Sequence, residues 1–198
     1  MEAVSPERDN RIVELVNRLG RAVHCMQFAR GLNPAQWEAL RFVARANRYS
    51  RTPSALAGFL GTTKGTASQT VKALEAKGYV RRMVEPCDRR MCRLEITEAG
   101  CAILRLDPIR RIATAIDDVA IDVETLSVSL TRLLSHMAEQ CRMTEFGVCC
   151  RCTHFGLDEA REAADGPHRC GLTGDPLSES DKVRICVNQT PAHPQLGE

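Results

Sequence analysis

The sequence predicts a mainly helical fold with a small two-stranded β wing, followed by a loop-rich, metal-binding tail. Three observations lead there. Apolar residues recur at helical spacing over most of 7–143, an arginine-rich pair of alternating segments interrupts them at 80–97, and five of the ten cysteines fall after residue 148. Charge divides the chain in the same place. Residues 1–143 hold 22 Lys+Arg against 16 Asp+Glu, a balance of +6, whereas residues 144–198 hold 5 against 9, a balance of −4. A basic body with an acidic tail suits a nucleic-acid binder. Two parts are therefore expected, 1–143 and 144–198. The opening MEAVSPERDN has no apolar signal core, and no run approaches the roughly 18 apolar residues of a membrane span. A cytoplasmic protein with no membrane partner is expected. In a reducing compartment, clustered thiols point to metal or redox chemistry in preference to a disulfide framework.

The first helix is expected over about 7–30, with Ile12, Leu15, Val16, Leu19, Val23 and Met26 along one stripe. Gly31 and Pro34 interrupt it. Asn33 caps a second helix to about residue 49, with Trp37, Leu40, Phe42 and Val43 as core. Thr52 and Pro53 open a short third helix that buries Leu56, Phe59 and Leu60 and stops at Gly61. The stretch 62–79, TTKGTASQTVKALEAKGY, is a helix with both ends marked: Thr62 or Thr63 as cap, Gly78 as left-handed terminator. Ala67, Val71 and Leu74 form its apolar face. Lys64, Thr66, Ser68, Gln69 and Lys72 form the other, the residue types that bond phosphates and base edges. Two short helices joined by a tight turn make a helix-turn-helix.

Behind it, residues 80–84 and 92–97 read as a hairpin, with Cys92, Leu94 and Ile96 alternating with Arg93 and Glu95. Pro86 and Asp88 supply the turn. Five arginines, with Arg89 and Arg90 at the tip and Arg81 and Arg82 at the root, suit phosphates or a minor groove. Thr97 caps the next helix, which Pro108 kinks or splits. A long helix over about 122–143 carries Leu126, Leu130, Leu133, Leu134, Met137 and Cys141 on one face. The apolar stripes of the first and last helices exceed what one small domain needs, and a second copy of the chain is a candidate to bury them.

The run LGTTKGTASQTVKALEAKGYVRR, the DRR at 88–90 and the closing LEITEAG at 94–100 resemble the MarR family of winged helix-turn-helix regulators over roughly 7–143. The resemblance implies a homodimer joined by its N- and C-terminal helices, bound to double-stranded DNA at a pseudo-palindromic operator. It implies that Lys64, Thr66, Ser68, Gln69 and Lys72 face bases and phosphates. Arg90 then reaches DNA beside Arg89, while Asp88 braces the wing. The family generally ends near the last long helix, so the cysteine-rich C-terminal extension is a departure.

That extension holds Cys149, Cys150, Cys152, Cys170 and Cys186 among Gly and Pro breaks, with too few apolar residues for a core of its own. Cys149-x2-Cys152, Cys170 and Cys186 are the expected metal ligands, with Cys150 as the alternative to Cys149. One close pair followed by two solitary cysteines favours an iron–sulfur cluster, with zinc as the alternative. His154, His168 and His193 are weaker substitutes. Cys25, Cys101 and Cys141 are expected to be small buried hydrophobes, and Cys87, if exposed beside Arg89 and Arg90, is a weaker candidate for an oxidation switch at the wing. The leading expectation is a DNA-binding transcriptional regulator, a repressor, whose operator affinity follows the redox, oxygen or iron status of the cluster. A regulator with a small aromatic effector and a structural zinc site is the alternative. A thiol redox enzyme is the distant third, lacking a βαβ context for its CxxC, so no catalytic activity is expected.

Overall fold

The computed structural model describes residues 6–85, 88–141, 146–157, 166–190 and 192. Seven α-helices lie among them: α1 (Pro6–Met26), α2 (Pro34–Arg45), α3 (Pro53–Phe59), α4 (Lys64–Ala76), α5 (Glu98–Leu104), α6 (Arg110–Asp118) and α7 (Val123–Cys141). A hairpin of β1 (Val80–Glu85) and β2 (Asp88–Ile96) separates α4 from α5. The described part of the tail has β3 (Gly147–Val148), β4 (Phe155–Leu157), β5 (His168–Cys170), β6 (Pro176–Leu177) and β7 (Ile185–Cys186), all very short. Among the described residues, no helix is long and apolar enough to cross a membrane.

Local chemistry sets most of the boundaries. Asn33 accepts from the Gln36 amide and Gln36 answers to the Asn33 amide, a complete capping box with Pro34 at the first position. Thr52, Thr63 and Thr97 each accept from the third amide of the helix that follows. Gly78, with φ of 72°, ends the α4 segment as the left-handed terminator. Asp122 caps α7 through the Thr125 amide at 3.1 Å. Two helices stop earlier than the sequence predicts. α1 ends at Met26, and Arg30 lies in the left-handed region. α2 ends at Arg45 because Ala46 turns to extended backbone, releasing 46–51 as a loop.

The core is built by α2, α3, α4 and the hairpin. Trp37, Leu40, Phe42, Val43, Leu56, Val71, Leu74, Val80 and Leu94 are all essentially fully buried. Ile185 of the tail is 7% exposed and belongs to the same core, and Phe146 and Val187 pack against it. Phe146 sits edge-on to Phe42 and Phe59, with ring centres 6.1 and 5.3 Å away. A second tie joins α1, α2 and the α5–α6 turn. Arg41 makes two bonds to buried Asp107, at 2.6 and 3.0 Å, and two to Gln27 at 3.0 Å.

In the single chain the outer helices keep their apolar stripes in the open. Ile12, Leu15, Val16 and Leu19 of α1 are exposed, as are Leu130, Leu133, Leu134 and Met137 of α7. Cys25 and Cys101 are exposed as well, correcting the expectation that helical cysteines are buried. Both lie on helix faces that the chain's own core does not reach. The Cys141 side chain lies outside the described residues.

Leu94 joins the wing to the helical core. Leu94→Ala is expected to lower unfolding stability by about 2–5 kcal/mol, which chemical denaturation would measure. A loss under about 1 kcal/mol would show that the site collapses without cost.

Candidate functional site

The polar face of α4 stands on a fixed base. Ala67, Val71 and Leu74 are buried, which holds the helix against α2 and α3 and turns Lys64, Thr66, Gln69 and Lys72 to solvent, with Ser68 half-exposed. Among the described residues no carboxylate pairs with Lys64 or Lys72. The wing root differs. Arg81 bonds Glu95 at 2.7 Å across the hairpin, and Arg82 lies 3.4 Å from Glu75 of α4. These two arginines bind the hairpin to itself and to the helix, a role the arginine count alone did not reveal. Asp88, Arg89 and Arg90 begin β2, but their side chains, like the whole of Cys87, lie outside the described residues.

The second feature is a small cavity in the tail, about 20 Å³ in volume, lined by Cys149, Cys152, Cys170 and Cys186. Cys149 and Cys152 come from one turn, and Cys170 and Cys186 each from a separate strand. A single 3-10 turn over Cys149–Arg151 turns Cys149 inward, and the Cys152 amide closes it on the Cys149 carbonyl at 3.0 Å. Cys170 ends β5, and Gly174 closes the loop behind it with an amide bond of 2.8 Å to its carbonyl. Cys186 ends β7, which pairs with β3 beside Cys149. Cys150 points out, exposed, away from the lining. His154 lines the rim, whereas His168 is buried and spends Nε2 on Glu179 at 2.7 Å. His193 lies outside the described residues. Among the described residues, no three His, Cys, Asp or Glu side chains already stand at ion-binding separation.

Two residues were missed by sequence reasoning: Asn47, which lines the cavity, and Ser50, which supports β7 behind it. Asn47 and Ser50 of the α2–α3 loop are both buried. Asn47 directs Nδ2 to the Cys149 sulfur at 3.9 Å, and its Oδ1 accepts the Tyr49 and Ser50 amides. The available signal was an Asn and a Ser between two marked helices, a pattern that reads as ordinary loop. The Cys149 and Cys186 thiols share a hydrogen bond that raises the first and lowers the second to about 6, with Asn47 and Ser50 adding to the stabilisation of the Cys186 thiolate.

The comparisons bear on the body of the chain. A family model described as the MarR family matches residues 30–91. This segment is similar to the MarR family of winged helix-turn-helix proteins. The Escherichia coli K12 transcriptional repressor MprA is 32% identical over 77 residues, which are 39% of this chain and 44% of MprA. The chain thus spans under half the length of that curated relative. The structure resembles the S. aureus MepR–DNA complex, at 18% identity and TM-score 0.51, covering 63% of this chain and 96% of that one. It also resembles CouR from Rhodococcus jostii RHA1 bound to p-coumaroyl-CoA, at 21% identity and TM-score 0.52, covering 70% and 96%. Both of these are likenesses of fold.

In metal-free protein the Cys186 thiolate is expected to form as pH rises through about 6 and to be lost below it. Alkylation followed by mass spectrometry at a series of pH values would read this. Cys186 modification with a midpoint near 6 is expected, and a midpoint at the ordinary thiol range would contradict the shared hydrogen bond.

Proposed function

We propose that the chain is a DNA-binding transcriptional regulator, a repressor, that acts as a homodimer on a pseudo-palindromic operator. One observation carries this reading. A capped helix, anchored by three buried residues, holds lysines without carboxylate partners and small polar side chains to solvent beside a hairpin tipped with arginines. The exposed stripes of α1 and α7 supply an apolar surface for a second copy. That MprA is a transcriptional repressor supports the same class.

In this reading Lys64 and Lys72 neutralise phosphates, Gln69, Ser68 and Thr66 read base edges, and Arg89 and Arg90 reach DNA from the wing, which Asp88 braces. Operator affinity depends on a group held by Cys149, Cys152, Cys170 and Cys186. Two chemistries suit four thiols gathered from one turn and two strands. An iron–sulfur cluster, favoured by the spacing, supplies an oxidisable centre that reports redox, oxygen or iron status, and zinc supplies a structural clip. The chain's own contribution is the same in both: it brings four sulfurs and the Asn47 amide to one small space.

A second cavity supports the alternative of a small effector. It measures about 460 Å³ and is lined by Arg30, Arg105, Arg110 and Arg111 beside Met26 and Leu106. Cations around apolar side chains suit an amphipathic anion such as an aromatic acid or its thioester. Release of DNA by such anions, abolished by Arg105→Ala and indifferent to chelators, would select this reading over the thiol centre.

The DNA role is checked by binding to the region upstream of the protein's own gene over a range of salt. Lys72→Ala is expected to weaken all duplexes alike and to reduce the salt slope by about 0.9. Gln69→Ala is expected to cost about 1–3 kcal/mol on the preferred sequence alone. Unchanged affinity and slope in both variants would remove α4 from the interface.

A further inference from the structure

The thiol cavity lies against the loop that supports the wing. The Asn47 amide donates to the Ile185 carbonyl at 2.8 Å, and the Val187 amide donates to Ser50 Oγ at 2.8 Å. These bonds bracket Cys186. Asn47 Nδ2 reaches the Cys149 sulfur. On the far side of the same loop, the Leu94 amide of β2 donates to the Arg51 carbonyl at 2.7 Å, and Arg51 Nε returns to the Ala46 carbonyl at 3.0 Å. Six residues therefore separate a ring of sulfurs from the root of the wing.

Size decides what the ring accepts. A cavity of about 20 Å³ holds one atom-sized occupant. Cys149, Cys152, Cys170 and Cys186 line it together. Four thiolates at about 2.3 Å from one ion form a tetrahedron with edges of about 3.8 Å. A cluster places its own irons and sulfides between the cysteines and needs a larger chamber. The tail has a further requirement: its strands are two or three residues long, and Leu177 and Ile185 are the buried aliphatic side chains among its described residues. Modules this small need a staple. An N–H from Asn47 aimed at a ligand sulfur is the outer-shell support that such sites use.

We propose that the four thiols hold a single zinc-like divalent ion, and that this ion clamps the 46–51 loop and through it the wing root. The proposal rests on the reading of Cys149, Cys152, Cys170 and Cys186 as a metal site and adds which metal class fits and where its effect is felt. Binding draws Cys152 and Cys170 in towards Cys149 and Cys186. The effect then passes to the DNA-reading part of the same chain, not through the dimer helices, because β7 is bonded to the loop and the loop to β2.

The test uses the full chain, purified without oxygen, with metal analysis, a cobalt(II) titration followed by absorption, and hydrogen exchange with and without zinc. The expected result is one zinc per chain and a tetrahedral thiolate cobalt spectrum. Amide exchange at Asn47, Leu94 and Val187 should slow at least tenfold on loading. Ser50→Ala should bind the same equivalent of zinc while the protection at Leu94 falls. Iron with acid-labile sulfide and strong visible absorption would overturn the single-ion assignment. Zinc binding that protects only 147–190 would overturn the clamp while leaving the metal site standing. Failure to bind zinc, cobalt or iron would overturn the metal-site reading itself, and this proposal with it.

Discussion

The buried loop between α2 and α3 is the constraint on which the rest of the molecule depends. Ala46, Asn47 and Ser50 are almost completely removed from solvent, yet the segment is neither helix nor strand. Each buried backbone group there needs a partner, at a cost of about 1–3 kcal/mol if it has none. Part of the supply comes from within, through the Asn47 side chain. The remainder comes from the Ile185 carbonyl of the tail and the Leu94 amide of the wing, while the Ser50 hydroxyl in turn accepts the Val187 amide. Reader, wing and cysteine segment are thus held by one set of bonds. An additional tie outside the core joins Arg48 to the Pro176 carbonyl and Tyr49 to Asp175. The Tyr49 bond also keeps the Asp175 carboxyl below its usual range.

This arrangement changes how a signal in the tail would travel. A tail appended to the last long helix invites a mechanism in which the dimer arms shift and the reader helices change their spacing. The chain instead folds back, so that Ile185 joins the same buried cluster as Leu40 and Leu56. The distance from sulfur to wing is then bridged by short hydrogen bonds in place of a long helix. The same geometry divides the arginines of the hairpin by task. Arg81 and Arg82 are committed to Glu95 and Glu75 and keep the wing aligned with α4. They are partly or well exposed, so each pair contributes little stability and chiefly fixes direction.

Much of the reader was legible in the residues because its signals are local. Thr63, Pro53, Asn33 and Gly78 mark boundaries through bonds within a few positions, and Ala67, Val71 and Leu74 mark the buried face by spacing alone. The docking of the tail was not legible. Phe146, Ile185 and Val187 are scattered apolar residues whose partners lie far away in the sequence, and no periodicity links them. α2 was expected to run to about residue 49, whereas the loop is pulled out by bonds to β7 and β2. The inward turn of Cys149 and the outward turn of Cys150 follow from one 3-10 turn that CC in sequence does not encode. Cys25 and Cys101 were misplaced because a helical stripe shows which residues share a face but not whether that face meets the chain's own core.

A fixed, polar helix face beside a charged hairpin is a surface built to be read against a duplex, and the symmetry of a dimer gives that surface a defined footprint. Hydroxyl-radical footprinting of the full-length protein on the DNA upstream of its own gene measures it directly. Two protected patches related by two-fold symmetry, with centres about one helical turn apart, are expected. Uniform weak protection along the fragment, or none at concentrations where the protein is folded, would contradict the assignment of α4 as the reading element.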